Sequence, residues 1–564
     1  MRHIFKSQLC RHKILTFFLG LAAFLLSTGL CCIVRADAPI STFKVGSSEA
    51  NVVFSTATWP AGKTVKIVGF GFPGNSAALT VSDDGQTVWQ GNSTVNQGRF
   101  TAGIPVSQCG YYTLEADGAP AVNFAVVPKQ VTGGTADLSD PNHRLLLGIC
   151  THFGQREMPE SSYAVLKNLG VDFVRDEIYW NDVERSKGSY SFIQRDISYV
   201  NSLAESHVRL LFVADGSCSF YGPSTPFTPE GDQAYANYCG AVLKRFGNEI
   251  DAVEVYNEPN SILAVGSYLP GLKALFSTVR ADGFKQPIIS VGGAGIGGGM
   301  NPSYASEIFK AGAAAYCDGF SQHPYTSPWA PDLGYPCDDG SNHNASMTLA
   351  LDRSEALLQQ SGFKRGGWIT EIGWPSPAVV SELKQAAFLA RTILVVSSYP
   401  HMEGLSTYDF QDDGSDPNNK EHRFGIVRQD MTPKPSYQAF AVAASFLRDK
   451  TFVRRITGPD SNLRANIYRD IKGNYWAACW ATETTYNETG RAYSSRSDSD
   501  AVQYKQLTGD PQVRFQISTM KGAAAMDWQG KNLLVKQTMT AEDLPIYINT
   551  KLQTDTIELS KISR

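Results

Sequence analysis

Two glutamates in this sequence stand where a strand-forming run ends in a turn. Glu258 follows a short β-branched run and comes directly before Pro259. Proline has no N–H for a sheet ladder, and its ring disfavours helix in the residue before it, so the strand must end there. Glu371 stands in a second strand-like run, Gly367–Pro375. Two carboxylates held at the ends of separate strands are the groups that hydrolysis of a glycosidic bond requires.

The chain between residues 143 and 450 alternates between strand-forming runs and helical patterns. Eight alternations over this length predict an α/β fold, the (β/α)8 TIM barrel, and the right-handed crossover rule leaves few other ways to wind the chain. A doubly wound open sheet is the alternative, but it would bring the two glutamates together less naturally. The predicted strands are Leu145–Cys150, Asp172–Ile178, Val208–Ala214, Ala252–Tyr256, Pro287–Gly292, Gly319–Gln322, Gly367–Thr370 and Gly404–Phe410.

The barrel would place both glutamates at one mouth. Residues at the C-terminal ends of the strands face the active site in such barrels, and Glu258 and Glu371 follow the fourth and seventh strands. Carboxyl groups about 5–5.5 Å apart are typical of glycosidases that retain the anomeric configuration, and groups about 6.5–9.5 Å apart are typical of inverting enzymes. The sequence leaves this separation open.

Four polar residues at other strand ends are candidates for substrate binding. Arg175, on the second strand, would hold Glu371 ionised and oriented, although an ion pair with a neighbouring carboxylate is the alternative. After the sixth strand, Tyr325 would donate to the nucleophile and His323 would contact a sugar hydroxyl. Asn257 carries an amide suited to the sugar 2-hydroxyl, whose hydrogen bond strengthens in the transition state.

Aromatic residues at the same level would stack on a sugar ring. Trp180, Trp329 and Trp374 come just after the second, sixth and seventh strands, and Tyr408 lies on the eighth. An aromatic plane there can cover a pyranose face, although ordinary packing explains each tryptophan equally well. His152, after the first strand, is a further candidate for a hydroxyl contact.

The regions on either side of the barrel carry a different pattern. Residues 39–130 show short alternating runs separated by Gly and Asp turns, which predict an N-terminal β-sandwich. Residues 131–142 form a predicted linker. Short strands return over residues 451–564 and predict a C-terminal β-sandwich without a catalytic motif.

The first 38 residues have the pattern of a signal peptide. Residues 1–13 are basic, residues 14–34 are mostly apolar, and the small residues Ala36 and Ala38 follow at the spacing that signal peptidases recognise. The pattern predicts a secreted, periplasmic or cell-surface protein with no membrane contact after cleavage. An uncleaved membrane anchor is the alternative, because about 20 apolar residues can span a bilayer.

Composition and cysteine spacing exclude other classes of function. A formal net charge of −4 gives no basic surface for nucleic acid. The cysteines after the leader show no C-x-x-C spacing, so no metal site is implied, and no cofactor is needed. The cysteine pairs Cys218–Cys239 and Cys317–Cys337 are the disulfides to check first in an exported protein. The oligomeric state is left open.

The motifs together resemble those of clan A glycoside hydrolases, and most closely family 39 with its bacterial exopolysaccharide-hydrolase relatives. The resemblance covers residues 143–450 and rests on Asn257-Glu258-Pro259, His323-Pro324-Tyr325, Trp368–Trp374, Tyr408–Gly414, Glu421–Val427 and Thr432–Tyr437. It implies retention of configuration, with Glu258 as acid/base and Glu371 as nucleophile. The chain departs from many clan members at the eighth strand, where Tyr408 stands in place of tryptophan.

These observations predict an exported retaining β-glycoside hydrolase that acts on an oligo- or polysaccharide. A non-catalytic glycan-binding or adhesion protein on a barrel scaffold is an alternative, but a binder needs neither carboxylate. A transglycosylase is a closer alternative, distinguished by longer products. The sugar, its linkage and the choice between exo and endo action are left open.

Overall fold

The computed structural model describes most of the chain after residue 50. The described residues are 51–54, 56–130, 144–222, 227–291, 303–327, 330–332, 335–336, 344–345, 347–457, 463–481, 513–517, 524–536, 538–550 and 557–561. The predicted signal peptide and the predicted linker lie outside these residues.

Eight parallel strands close into a barrel in which each strand pairs with the next in sequence and the eighth pairs with the first. The prediction of a barrel that is preceded and followed along the chain by β-sheet regions is therefore confirmed. The open doubly wound sheet is excluded. The strands, referred to below as the first to the eighth, are Leu146–Cys150, Phe173–Glu177, Arg209–Ala214, Ile250–Val255, Ile288–Ser290, Gly319–Gln322, Gly367–Ile369 and Met402–Thr407.

Helices cover the outside of the barrel, so its strands are buried on both faces, as parallel strands usually are. The helix Ser303–Lys310 and the 3₁₀ turn Ala313–Ala315 are separate elements, because Gly312 between them adopts φ 93°. The α-helices are Ser161–Leu169, Trp180–Val183, Gln194–Glu205, Pro229–Phe246, Val265–Ala281, Ser303–Lys310, Met347–Gln360, Glu382–Val396 and Pro435–Leu447. The 3₁₀ turns are Pro259–Ser261, Ala313–Ala315 and Lys420–His422.

Two aromatic rings fill the N-terminal half of the barrel interior. Phe173 and Trp368 meet edge to face, with ring centroids 5.8 Å apart. A Cβ atom at Gly148 would lie 2.3 Å from the Phe173 ring, and one at Gly404 would lie 2.2 Å from the Trp368 ring. Only glycine leaves room for these rings. Nearer the C-terminal ends of the strands, the barrel interior also holds the polar side chains of Arg175, Glu254 and Ser321, which support the site.

Mostly antiparallel sheets precede and follow the barrel, and in the N-terminal region Thr58–Pro60 pairs in parallel with Val122–Val127. The N-terminal region has a three-stranded and a five-stranded sheet around one apolar core, and the C-terminal region has a six-stranded and a three-stranded sheet. The N-terminal strands are Asn51–Phe54, Thr58–Pro60, Val65–Phe70, Ser76–Asp83, Gln86–Thr94, Arg99–Ile104, Gly110–Ala116 and Val122–Val127. The C-terminal strands are Lys450–Thr457, Leu463–Asp470, Tyr475–Ala481, Val513–Ile517, Ala525–Met526, Asn532–Leu533, Thr538–Ala541, Ile546–Asn549 and Ile557–Lys561. A two-stranded hairpin, Tyr335–Pro336 with Asn344–Ala345, lies within the barrel segment. Among the described residues, no helix is long and apolar enough to cross a bilayer.

The predicted disulfides are wrong. Cys218 and Cys239 are both free and buried, and Cys317 is also a free, buried thiol. Cys337 lies outside the described residues. These cysteines act as small apolar side chains in the packing between helices and barrel strands.

The carboxylate of Asp172 joins the two ends of the barrel segment. Arg144, before the first strand, donates to both carboxylate oxygens at 2.7 and 2.5 Å, and Arg448, after the last helix, donates at 2.8 Å. The Leu147 N–H donates at 2.9 Å. Burial alone would raise the pKa of Asp172, but the two guanidinium groups and this hydrogen bond outweigh it and hold the pKa below its usual value.

We expect Asp172→Ala to lower the free energy of unfolding by about 3–5 kcal/mol at neutral pH, because two largely buried guanidinium groups lose their carboxylate. A carboxyl whose folded pKa is lowered stabilises the fold above its unfolded pKa, and this contribution is lost as the pH falls through the folded pKa. The difference between the variant and the wild type should therefore shrink in acid. Urea denaturation at neutral and acidic pH measures it.

Glu230→Ala is the matched control, because it breaks an ion pair with Lys187 in which both side chains are exposed. That change should cost about 1 kcal/mol or less. Equal losses in the two variants, or a loss at Asp172 that does not depend on pH, would contradict the structural role given to Asp172.

Candidate active site

The backbone turns sharply after the fourth barrel strand to present Glu258. Tyr256 and Glu258 have φ angles of 71° and 45°, in the left-handed region that side chains other than glycine rarely adopt. Such conformations cost about 1–3 kcal/mol each and persist where the surroundings enforce them. The buried Tyr268 hydroxyl fixes the last strand residue by donating to the Val255 carbonyl at 2.9 Å, and Pro259 begins a 3₁₀ turn. The Glu258 carboxylate is thereby aimed into the barrel mouth.

Glu371 follows the seventh strand and is held by two donors. The Arg175 Nη1 group donates to Oε1 at 2.7 Å, and the Tyr325 hydroxyl donates to Oε2 at 2.9 Å. Burial raises the pKa of Tyr325 well above its usual value, so the phenol keeps its hydrogen and remains a donor. Arg175 and Tyr325 thus both contact Glu371, as the sequence predicted.

The two glutamates face one gap. One carboxylate oxygen of Glu258, one of Glu371 and a ring nitrogen of His323 all lie within 4.8 Å of one another. The side chains of Glu258 and Glu371 are 30% and 12% exposed, so both can be reached from the solvent. An upper limit of 4.8 Å between one oxygen of each carboxylate is compatible with the spacing of about 5–5.5 Å between the carboxyl groups of retaining glycosidases.

Arg175 owes its position to a buried carboxylate, Glu254. Its Nε group donates to Glu254 at 2.5 Å, while Nη1 and Nη2 donate to Glu371 and to the amide oxygen of Asn257. Burial alone would lower the pKa of Arg175, but Glu254 and Glu371 outweigh it and raise the pKa well above its usual value. The guanidinium is a permanent cation with three fixed acceptors.

Sequence reasoning missed Glu254. This residue lies inside the barrel, fully buried, and its Oε1 atom also accepts hydrogen bonds from Ser321 at 2.6 Å and Thr370 at 2.7 Å. The signal that could have found it is strand alternation, because a charged residue on the inward side of a barrel strand needs a partner from another strand that also faces the barrel interior. Arg175 supplies that partner from the second strand.

The prediction that His323 contacts a sugar hydroxyl is wrong. The ring is fully buried, and both of its nitrogens are engaged: Nδ1 lies 2.9 Å from Glu258 Oε1, and Nε2 lies 3.0 Å from the Thr370 hydroxyl. Nδ1 also lies 3.5 Å from Glu371 Oε2. His323 therefore lies behind the two carboxylates instead of contacting the substrate.

Asn257 is half-buried beside Glu258. Its Oδ1 atom accepts a hydrogen bond from Arg175 at 2.9 Å. Because the oxygen of the amide is engaged, its NH₂ group is the part that can donate to a sugar hydroxyl. This orientation is compatible with the role predicted for Asn257.

A solved structure with the same architecture belongs to a family 39 glycoside hydrolase from the gut symbiont Bacteroides cellulosilyticus WH2. It is similar to this chain with a TM-score of 0.71 and 27% identity, over 88% of this chain and 98% of that chain. The chain is a glycoside hydrolase with the fold of family 39. The resemblance predicted from the motifs is confirmed.

A second solved structure is less similar to this chain. A GH5_18 protein from Bifidobacterium longum subsp. infantis is similar with a TM-score of 0.44 and 17% identity, over 55% of this chain and 80% of that chain. No protein-family model matches the sequence, and no curated protein matches it.

His152 and Tyr408 meet at the mouth of the hydrolase, on the side of the first and eighth strands. The Tyr408 hydroxyl lies 3.5 Å from His152 Nε2, and His152 Nδ1 lies 2.9 Å from Asp413. Burial alone would lower the pKa of His152, but the hydrogen bond to Asp413 and the charge of Asp409 outweigh it and raise the pKa to about 9. His152 is therefore cationic at neutral pH, and both predicted residues are half-buried at the site.

The predicted stacking of two tryptophans on the substrate is wrong. Trp180 is fully buried between Tyr221 and Tyr238, with ring centroids 5.4 and 5.8 Å away. Trp374 is also fully buried and packs against Phe388. Neither ring can offer a face to a sugar. Trp329 lies outside the described residues.

Two further carboxyl groups were missed on the side of the second and third strands. Glu177 lies two residues beyond Arg175 on the same inward side of the second strand, and Asp215 follows the third strand. Burial raises the pKa of both, and the negative charges of Asp176 and Asp215 raise the pKa of Glu177 further. Half-buried carboxyl groups at this level of a barrel are suited to sugar hydroxyls.

Proposed function

We propose that the protein is an exported retaining β-glycoside hydrolase that acts on an oligo- or polysaccharide by double displacement. The observation that carries the proposal is the pair of solvent-accessible carboxylates, Glu258 and Glu371, with oxygens within 4.8 Å of each other. The fold of family 39 supports it, and residues 1–38 alone support export.

Glu371 is the nucleophile in this proposal. Its carboxylate attacks the anomeric carbon while Glu258 gives its proton to the departing oxygen, so that the bond to the leaving group breaks as the glycosyl ester forms. A water then gives a proton to Glu258 and attacks the anomeric carbon, and Glu371 leaves as a carboxylate. Two inversions at one carbon give overall retention.

The contacts of Arg175 suit both states of the nucleophile. In the free enzyme Arg175 donates to Glu371 at 2.7 Å and keeps its reactive carboxylate oriented. When the ester forms, Glu371 loses its charge, but Arg175 is still paired with Glu254 at 2.5 Å. The cation therefore needs no rearrangement during the reaction, which is the condition for electrostatic preorganisation.

We expect the first product released from an aryl β-glycoside to be the β-anomer of the free sugar. Proton NMR of the anomeric signal during the first minutes of a fast reaction measures this before mutarotation mixes the anomers. An α-anomer appearing first would contradict the retaining mechanism. A panel of aryl β-glycosides and polysaccharides supplies the substrate.

The same panel separates the alternatives. New reducing ends released from a polysaccharide support hydrolysis, and products longer than the substrate support transglycosylation. Binding to a polysaccharide with neither change supports the non-catalytic alternative.

A further inference from the structure

Thr370 lies between two buried groups of the active site. Its hydroxyl oxygen is 2.7 Å from Glu254 Oε1 and 3.0 Å from His323 Nε2. Glu254 is paired with Arg175 and, as a carboxylate, has no hydrogen to give. The Thr370 hydroxyl hydrogen therefore points to Glu254, and a lone pair of the same oxygen faces Nε2. It follows that Nε2 of His323 carries a hydrogen.

The other nitrogen of the ring faces the acid/base. His323 Nδ1 lies 2.9 Å from Glu258 Oε1. In a neutral imidazole with its hydrogen on Nε2, Nδ1 can only accept a hydrogen bond. The short contact then requires the hydrogen between these two atoms to belong to Glu258, which is the protonated form that a general acid needs.

The groups around His323 favour this neutral form. Besides Glu258, the charged and titratable groups that face it are Glu371, Glu254 through Thr370, and Arg175 and Tyr325 through Glu371. Arg175 and Tyr325 already donate to Glu371 at 2.7 and 2.9 Å, whereas His323 Nδ1 is 3.5 Å from it. Glu371 therefore needs no hydrogen from the ring, and the described hydrogen-bond partners of the buried His323 are Glu258 and Thr370.

We propose that Glu254 and Thr370 are positioning residues that fix His323 as the Nε2–H tautomer, and that His323 in this form keeps the acid proton on Glu258 in the resting enzyme. This inference rests on the proposed function. After Glu258 has given its proton to the leaving group, its carboxylate faces the Nδ1 lone pair across 2.9 Å. The repulsion between the two favours return of a proton from the attacking water to Glu258, so one tautomer serves both steps.

Thr370→Val tests the proposal, because valine keeps the shape and removes the lone pair that Nε2–H requires. The ring is then expected to carry its hydrogen on Nδ1 and donate it to Glu258, which favours ionised Glu258. We expect kcat/KM for a phenyl β-glycoside to fall by about 10–100-fold, because its poor leaving group needs the acid. A dinitrophenyl glycoside, whose leaving group needs no proton, should lose only about threefold or less.

The pH profile adds a second readout. The decline of kcat/KM on the alkaline side reports loss of the acid proton, so it should move to lower pH in Thr370→Val. Thr370→Ser restores the hydroxyl and should restore both the profile and the rate. If Thr370 had a purely structural role, its substitution would lower kcat/KM for the two aryl glycosides by the same factor and leave the pH profile unchanged.

Ser321→Ala is the matched control. Ser321 also donates to Glu254 Oε1, at 2.6 Å, but it makes no hydrogen bond to His323 among those that the structure describes. Its loss should change the rates for both leaving groups by the same factor. The same leaving-group selectivity in Ser321→Ala as in Thr370→Val would overturn the proposal, because the effect would then come from Glu254 alone.

Nitrogen NMR of histidine-labelled protein tests the tautomer without turnover, and His323→Gln identifies the signals. The resting enzyme should show a bare Nδ1 and a protonated Nε2, and Thr370→Val should show the reverse. Two protonated nitrogens, or Nδ1–H in the wild type, would overturn the proposal. A protein with the expected tautomer that hydrolyses no glycoside would instead contradict the proposed function.

Discussion

Glu371→Gln is expected to reduce turnover of an aryl β-glycoside by about four orders of magnitude or more, because an amide cannot form the glycosyl ester. The substitution conserves the shape of the side chain. Arg175 keeps Glu254 and Asn257 as acceptors, so the rest of the site should stay in place. The loss should appear in kcat for substrates with good and poor leaving groups alike, since both need the nucleophile. Steady-state kinetics with phenyl and dinitrophenyl glycosides measures it.

Glu230→Gln is the control for this prediction. Its carboxylate is exposed and pairs with Lys187, and none of its described contacts is with Glu258 or Glu371. The control should hydrolyse both substrates at the rate of the wild type. Residual activity in Glu371→Gln within about tenfold of the wild type would show that another group attacks the anomeric carbon.

The positions of the two glutamates could be predicted because they depend on local patterns and on barrel closure. Each glutamate follows a recognisable strand, and a closed parallel barrel must bring all the C-terminal strand ends to one mouth. The register of the strands does not alter that conclusion. The donors on Glu371 could be predicted for the same reason, since Arg175 and Tyr325 also lie at strand ends.

The layer beneath the glutamates could not be predicted, because it depends on which face of each strand turns inward. Glu254 and Thr370 look like ordinary strand residues, and a shift of one residue would move either to the outside of the barrel. Only the observed pairing of the strands places Ser321 and Thr370 beside Glu254, to which they donate hydrogen bonds of 2.6 and 2.7 Å. The burial of His323 follows from the same arrangement.

The tryptophans show a second limit of prediction from the sequence. Trp180 and Trp374 follow their strands at the expected level, but the direction of a side chain in a loop depends on the helix that comes next. Trp180 begins a short helix of its own, and its indole N–H donates to Glu184 at 2.6 Å. Trp374 packs beneath the helix Glu382–Val396. Position relative to a strand end indicates distance from the site but not exposure to it.

Glu258→Ala should slow hydrolysis of a phenyl β-glycoside by about 10²–10⁴-fold, because the first step loses its acid. A dinitrophenyl glycoside should still react rapidly with Glu371, and the glycosyl ester should accumulate, since no base activates water for the second step. A burst of dinitrophenol followed by slow release is the expected time course. Azide, which needs no base, should enter the space left by the carboxylate and raise the steady rate by about tenfold or more.

The configuration of the azide product assigns the role of each glutamate. In Glu258→Ala, azide attacks the ester from the face opposite Glu371 and should give the β-glycosyl azide. In Glu371→Ala, the matched control, azide takes the place of the nucleophile and attacks the substrate from the other face, which should give the α-glycosyl azide. Proton NMR of the isolated products distinguishes them. An α-azide from both variants would contradict the double displacement. An α-azide from Glu258→Ala together with a β-azide from Glu371→Ala would mean that the nucleophile and the acid/base are the reverse of those assigned from the contacts of Arg175 and Tyr325.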